Sequence, residues 1–399
     1  MSNETKSCAT TPADQGVELK TPIDGLGNLI SIKKIPIVQS SWRYNLINSD
    51  LFTTTNTGSG SATSSNSKLI CSTTASSSSS SKVETKRKIK ARPGQAIDVN
   101  LSCKLTTGKT GSSQMIGWGS TIDGLFFGYN GSSFGVLHRN NTTDTWVAQS
   151  SFNGDTLDGT GESKITIDPT KFNAYRIHCS DLGIGDAIFY IHSRTDNTWI
   201  EVHRIRFDGT TTQLAMKNPS LPLMAMVSNT TNDTNISIEV GEWSGFIMGE
   251  FNLRSSVQKS ISNLKTGITT EVNVLTIRNN TTFNSETNLT EVHLKSISVA
   301  VDGAKISLVK VYHNATLGGT PSYTDVDTGK SCVSYDTAGT TVTGGHLEAI
   351  YSVDKTGSIV FDIETTTHLY LQPGDTATVT CTSSNATECQ AAAIWHEDF

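Results

Sequence analysis

The side chains that could carry chemistry gather in the first two-thirds of the chain. Asp155, Asp158 and Glu162 place three carboxylates in one short loop, beside Gly154, Gly159 and Gly161. A flexible loop with several oxygen ligands suits calcium. The spacing departs from the EF-hand pattern, however, and solvated loop acids are the plainer reading. Arg176 and His178 share the outward face of one alternating segment, and His192, His203, Arg204 and Arg206 fall on neighbouring segments. If they converge, they form a mildly cationic sheet face able to meet an acidic partner or a glycan; if not, they are separate exposed residues. Trp118, Phe126, Phe127, Tyr129, Trp146 and Phe152 cluster around Gly-rich hairpins. They could form an aromatic platform for sugar stacking. Core filling and subunit packing is the favoured alternative, because stacked sheets need large residues between them. Gly117 and Gly119 beside Trp118 fit close backbone approach better than an open site.

Nothing marks a catalytic centre. No G-x-S-x-G elbow is present, and no carboxylate pair stands out as a glycosidase would require. The seven cysteines include no CxxC and match no zinc pattern. Cys103 is in phase with Ile97, Val99 and Leu101, and Cys179 with Tyr175 and Ile177, so both are expected as small buried hydrophobes. A Cys381–Cys389 bridge stays open. The expectation is a protein that is not an enzyme, with no catalytic residue, cofactor or metal ligand assigned.

These residues must be positioned by strands. Val99-Asn100-Leu101-Ser102-Cys103 and Asn235 to Val240 alternate apolar with small polar residues, as half-buried strands do. Asn130-Gly131 and Asp208-Gly209 supply residues that tolerate positive φ and are expected as hairpin turns. Thr53–Ser67 and Ser76–Ser81 look at first like linkers. The intervening Lys68-Leu69-Ile70-Cys71 instead suggests loop plus polar edge strand. Lys86 to Lys90 is expected as a solvated strand face rather than a phosphate-binding patch. Leu253, Val257, Ile261 and Leu264 recur at helical spacing, so a short connecting helix is one reading of 252–265. Within 291–301, Val292 and Leu294 are followed by Ile297, Val299 and Val301; this change of phase points to a β-bulge or to burial on both faces.

Bulk properties agree with a β protein. The 399 residues are 35% hydrophobic and 17% charged, with a net charge of −6, which disfavours nucleic acid as the main partner. No apolar run approaches the ~18 residues of a membrane span, and Met1–Gly16 lacks the apolar core of a signal peptide. N-x-S/T sequons such as Asn130, Asn140, Asn229, Asn232, Asn314 and Asn385 are numerous, but Ser and Thr are abundant enough to produce them by chance. The fold class expected is all-β: two β-sandwich, jelly-roll-like domains with an extended N-terminal arm. The divisions are a flexible tail at 1–20, a first domain at 21–250 and a second at 251–399.

Several segments, taken in order, resemble virion structural proteins of tailed phages and large double-stranded DNA viruses. They are Thr21 to Gly27, Asp123 to Gly131 followed by Val136 to Arg139, Asn153 to Gly161 with Asp168 to Lys171, and Asn218 to Leu223. In the C-terminal half they are Tyr335-Asp336-Thr337, Thr343-Gly344-Gly345, Leu371 to Thr376 and Trp395 to Phe399. The resemblance implies a capsid, spike, fibre or tail component located in the virion. Its partners would be itself, as a homotrimer or other closed oligomer, and other virion proteins, with no membrane insertion. The alternative is a host-glycan-binding adhesin module. Candidate interface or glycan-surface residues are Trp118, Tyr129, Trp146, Arg176, His178 and Arg204. Ile35, Ile37, Val38, Trp42 and Tyr44 form a candidate arm that docks on a neighbour.

Overall fold

The computed structural model describes residues 34–180, 183–249, 256–363 and 369–399. The tail at 1–20, the segment Thr21–Gly27 and Leu253 lie outside them. The chain divides into two compact units, with the division between Glu250 and Phe251. Both are built from antiparallel strands, so the protein is all-β and multi-sheeted.

The first unit opens with β1 (Lys34–Ser41), β2 (Phe52–Thr57), β3 (Ser61–Ser65), β4 (Lys68–Ser72), β5 (Ser79–Thr85) and the short β6 (Ile89–Lys90). Then come β7 (Ala96–Leu105), β8 (Ser112–Gly119), β9 (Gly124–Asn130), β10 (Ser133–Asn140) and β11 (Thr143–Ala148). It closes with β12 (Asn173–Cys179), β13 (Ala187–His192), β14 (Trp199–Ile205), β15 (Ser220–Leu221), β16 (Leu223–Asn229) and β17 (Ser237–Met248). One sheet runs β14-β13-β12-β7-β17-β4-β3, with β1 also paired to β17. The other runs β11-β10-β9-β8-β16-β5-β2.

Period-two alternation decides what faces inward. On β7, Ile97, Val99, Leu101, Cys103 and Leu105 point into a core shared with Ile116 and Trp118 of β8 and Leu125 and Phe127 of β9. Cys103 and Cys179 are buried as that phase requires. Thr53–Ser67 forms β2 and β3, each at the edge of its sheet, whereas Ser76–Ser81 leads into β5, an interior strand between β16 and β2. Gly131, at φ 60°, turns β9 into β10, the left-handed conformation that glycine adopts without penalty. Asp208-Gly209 is a turn as well, but it lies in the long loop after β14 and joins no hairpin.

In the second unit come β18 (Val257–Ile268), β19 (Val272–Asn279), β20 (Thr282–Phe283), β21 (Glu286–Thr287), β22 (Glu291–Gly303), β23 (Ser307–His313) and β24 (Thr316–Leu317). They are followed by β25 (Thr324–Asp325), β26 (Val333–Asp336), β27 (Val342–Thr343), β28 (His346–Val353), β29 (Ser358–Asp362), β30 (Tyr370–Leu371), β31 (Thr376–Ser383) and β32 (Thr387–Asp398). One sheet orders β18-β32-β22-β29, with β30 on β22; the other orders β25-β26-β19-β31-β23-β28. Val292, Leu294, Ile297 and Val299 share a core with Val309, Val379 and Trp395.

The helix reading of 252–265 is corrected for its described part, because β18 pairs with β32 along its length. Ile261 faces inward and half-buried, whereas Val257 and Leu264 are exposed. Cross-strand bonding therefore overrides a fortuitous 3.6-residue period. The expected bulge is present: the β22–β32 register shifts between Leu294 and Ser296. The extra residue lets Val292 and Leu294 face the same core as Ile297 and Val299.

Candidate functional site

The outer face of the first unit's β14-to-β1 sheet is the surface best equipped to recognise a ligand. Register fixes its rows. Asn100 lies opposite Arg176 and Ser244, Arg176 opposite Tyr190, and Tyr190 opposite Glu201. Ser102 lies opposite Ala174 and Glu242, and His192 opposite Trp199. Beyond β17, Gln39 and Ser41 of β1 continue the rows next to Ser244 and Glu242. Of these, Gln39, Ser41, Asn100, Ser102, Ala174, Trp199, Glu242 and Ser244 line an open groove of about 590 Å³. Its floor is short and polar (Asn100, Ser102, Ser244), Trp199 stands on one side, and Arg43 and Glu242 stand on the other.

The walls are braced. The Arg176 guanidinium lies 5.3 Å from the Tyr190 ring centre and 5.9 Å from that of Trp199, within cation–π range. The His192 ring meets Trp199 edge-on at 5.3 Å. Arg43 donates to Glu242 Oε1 at 2.9 Å. Arg176 is itself held at 2.5 Å by Asp98, whose other oxygen meets Lys34 at the same distance. His178 Nδ1 stands 3.7 Å from the Asp98 carboxylate. Burial alone would raise the Asp98 pKa, but His178, Arg176 and Lys34 together hold it well below the usual carboxylate range. A row away, Arg204 binds Glu201 through two nitrogens at 2.9 Å and Asp186 at 2.8 Å. The hydrogen bonds Arg204 donates to Glu201, and then the one to Asp186, raise its pKa above the usual guanidinium range.

Arg176, His178, His192 and Arg204 thus share one face. That face is not cationic, because Asp98, Glu201 and Asp186 neutralise it at contact distance. His203 points the other way and is buried beside Phe152 and Phe189. Arg206 follows β14 and is exposed.

Other named residues lie elsewhere. Trp118 is wholly buried, its Nε1–H donating to the carbonyls of Leu221 and Ile89, and so contributes to no surface. A Cβ on Gly117 would meet the Leu125 carbonyl oxygen at 2.0 Å, which confirms packing rather than an open site there. Tyr129 is buried against Phe134. Trp146 is half-buried in a small cluster with Phe126, Leu137 and Met224. The arm residues belong to their own unit. Ile35, Ile37 and Val38 lie in β1, which pairs with β17, and the buried Trp42 packs on Phe52 and Trp243. Val38 and Trp42 are buried within this unit and Ile35 and Ile37 are half-buried against its core, while Tyr44 is 94% exposed.

The acidic loop is occupied by its own backbone. Asp155 accepts from the Leu157 and Ser163 amides, and Asp158 from Thr156 and Thr160. Burial pushes the Asp155 pKa up, but the Ser163 and Leu157 amides more than compensate and leave it lowered.

Trp199, Tyr190, Asn100, Ser102, Gln39 and Glu242 were not legible as a group in the sequence. Trp199 does begin an alternating segment next to the singled-out His192, but only strand order shows that β1, β17 and β7 complete its groove.

No family model matches the chain, and no curated protein does. Among solved structures, it is similar to the cellulose-induced protein Cip1, at 10% identity over 52% of this chain and 96% of that one, with a TM-score of 0.36. A laminarinase from Flavobacterium sp. UMI-01 shows 12% identity over 53% and 100%, at 0.36. The lectin UEA-II complexed with galactose shows 10% over 53% and 99%, at 0.35. Likeness this distant carries no argument about activity.

The resemblance to virion structural proteins is corrected. No virion family matches, and the similar structures named here are a lectin, a laminarinase and a cellulose-induced protein. The physical reason lies in the segments themselves. Asn130-Gly131 and Gln372-Pro373-Gly374-Asp375 are turn sequences that any antiparallel sheet requires. The capsid, spike, fibre and tail roles fall with that resemblance, as do the virion partners.

Proposed function

We propose that the first unit is a carbohydrate-binding module and that its groove holds an oligosaccharide. We read each unit as a β-sandwich of jelly-roll type, the groove lying on an outer sheet face of the first. The observation that carries the proposal is the pairing of a braced Trp199 wall with a floor of Asn100, Ser102 and Ser244. A pyranose offers an apolar face of C–H groups and an edge of hydroxyls. An indole matches the first, and short amide and hydroxyl side chains match the second. The width and openness of a sheet face suit a chain of sugars better than a small enclosed metabolite.

We also propose binding without hydrolysis. Glu242 is the one carboxylate among the described residues lining the groove, and Arg43 holds it. Glycoside hydrolysis uses two opposed carboxyl groups.

A glycan array probed with the purified full chain tests this reading. Saturable binding to a defined set of oligosaccharides, lost in Trp199→Ala, is the expected result. An array without saturable signal overturns it.

A further inference from the structure

The second unit carries a cluster that the groove does not involve. On β22, the alternation that sends Val292 and Leu294 into the core sends Glu291 and His293 to the opposite face. Glu291 nonetheless retains only 4% of its exposure and Asp398 only 9%. Register explains their proximity: Glu291 lies directly opposite Asp398 on β32, and His293 opposite Tyr370 on β30. One ligand atom from each of Glu291, His293 and Asp398 falls within 4.8 Å of the other two. The His293 ring is held flat against Tyr370, with centroids 5.8 Å apart and planes at 25°. Glu291 Oε2 and His293 Nε2 are 3.4 Å apart.

A second observation points to a ligand. Gln372, 8% exposed, donates through Nε2 to Glu291 Oε1 at 3.0 Å. Its buried Oε1, on the same amide beside the cluster, has no hydrogen-bond partner. A buried carbonyl oxygen without a donor is costly. A cation held between the two carboxylates and the imidazole supplies it with a partner.

We propose that Glu291, His293 and Asp398 bind a divalent cation of the zinc type, with Gln372 Oε1 as the fourth donor. The nitrogen ligand decides the class, since calcium and magnesium take oxygen ligands and imidazole suits zinc and its neighbours. Tetrahedral zinc at about 2.1 Å from its ligands sets them about 3.4 Å from one another. Glu291 and His293 already have that spacing, and an Asp398 oxygen lies within 4.8 Å of both. Two carboxylates with little access to water gain a counter-charge, and β22, β30 and β32 are tied together at one end of the sheet.

The test is isothermal titration of the untagged full chain with Zn²⁺ after EDTA treatment and dialysis, alongside thermal melts with and without the metal. One equivalent bound and a raised Tm are expected, both absent in His293→Ala. Gln372→Ala is expected to weaken Zn²⁺ on the order of 10–100-fold, as loss of a supporting ligand does. If His293→Ala fails to fold, Asp398→Asn serves in its place and is expected to lose the same equivalent. No Zn²⁺ uptake by the wild-type chain, or uptake unchanged in these variants, overturns the proposal.

Discussion

Trp118 and Trp199 both lie on strands of the first unit, yet they occupy opposite environments. Trp118 sits between the sheets of the first unit, where Gly117 lets β9 approach its backbone and two carbonyls accept its indole N–H. Trp199 stands on the outer face, braced by Arg176 and His192 beside a polar floor. Aromatic density therefore does not mark a binding surface in this fold. The proposed binding surface carries an aromatic on the outward phase of an edge strand, held by charged neighbours instead of by the core.

The two tryptophans should respond to substitution in opposite ways. Trp118→Ala should cost about 3–5 kcal/mol of unfolding free energy, read from urea denaturation, because it empties a large core site. At temperatures where the variant stays folded, its sugar affinity should equal that of the wild type. Loss of affinity in the folded variant would erase the distinction between the two regions.

Asp98→Asn sharpens the comparison at the brace. Removing the buried carboxylate leaves Arg176 and Lys34 without their shared partner and should cost about 3 kcal/mol, the low end for a buried pair because Lys34 can swing into solvent. The pH dependence has a definite sign. The folded pKa of Asp98 lies below its unfolded value, so its contribution is complete above roughly pH 5 and is lost as pH falls through the folded pKa. Acid denaturation curves of wild type and Asp98→Asn should converge at low pH, whereas parallel curves would show that Asp98 does not carry this term.

Trp199→Ala should change stability by only about 1 kcal/mol, since the side chain is half-buried at a strand end. Tyr44→Ala, at a residue 94% exposed, should fall within about 0.5 kcal/mol of wild type in a thermal melt and leave sugar affinity unchanged. A drop in affinity there would extend the site beyond the groove.

The same comparison explains what the sequence could reveal. Strand identity was legible wherever alternation was strict, as in Ile97 to Leu105, and the bulge in β22 was legible from a change of phase. The burial of Trp118 was foreshadowed by its glycine neighbours. The groove was not legible as a unit, because Gln39, Asn100, Trp199 and Ser244 lie on four strands whose adjacency only the sheet order sets. Arg176 and His178 were visible as an outward pair, but their neutralisation by Asp98 was hidden on another strand. The helical spacing near Val257 misled for a related reason: β18 gets its structure from hydrogen bonds to β32, more than a hundred residues away.

The central claim is that Trp199 is the stacking wall of a sugar-binding groove. The most direct measurement is the calorimetric affinity of the best array oligosaccharide for wild type and Trp199→Ala side by side. A loss of roughly tenfold or more, the equivalent of ~1.4 kcal/mol of aromatic contact, is predicted. Equal affinity in the two proteins would contradict the assignment of the groove.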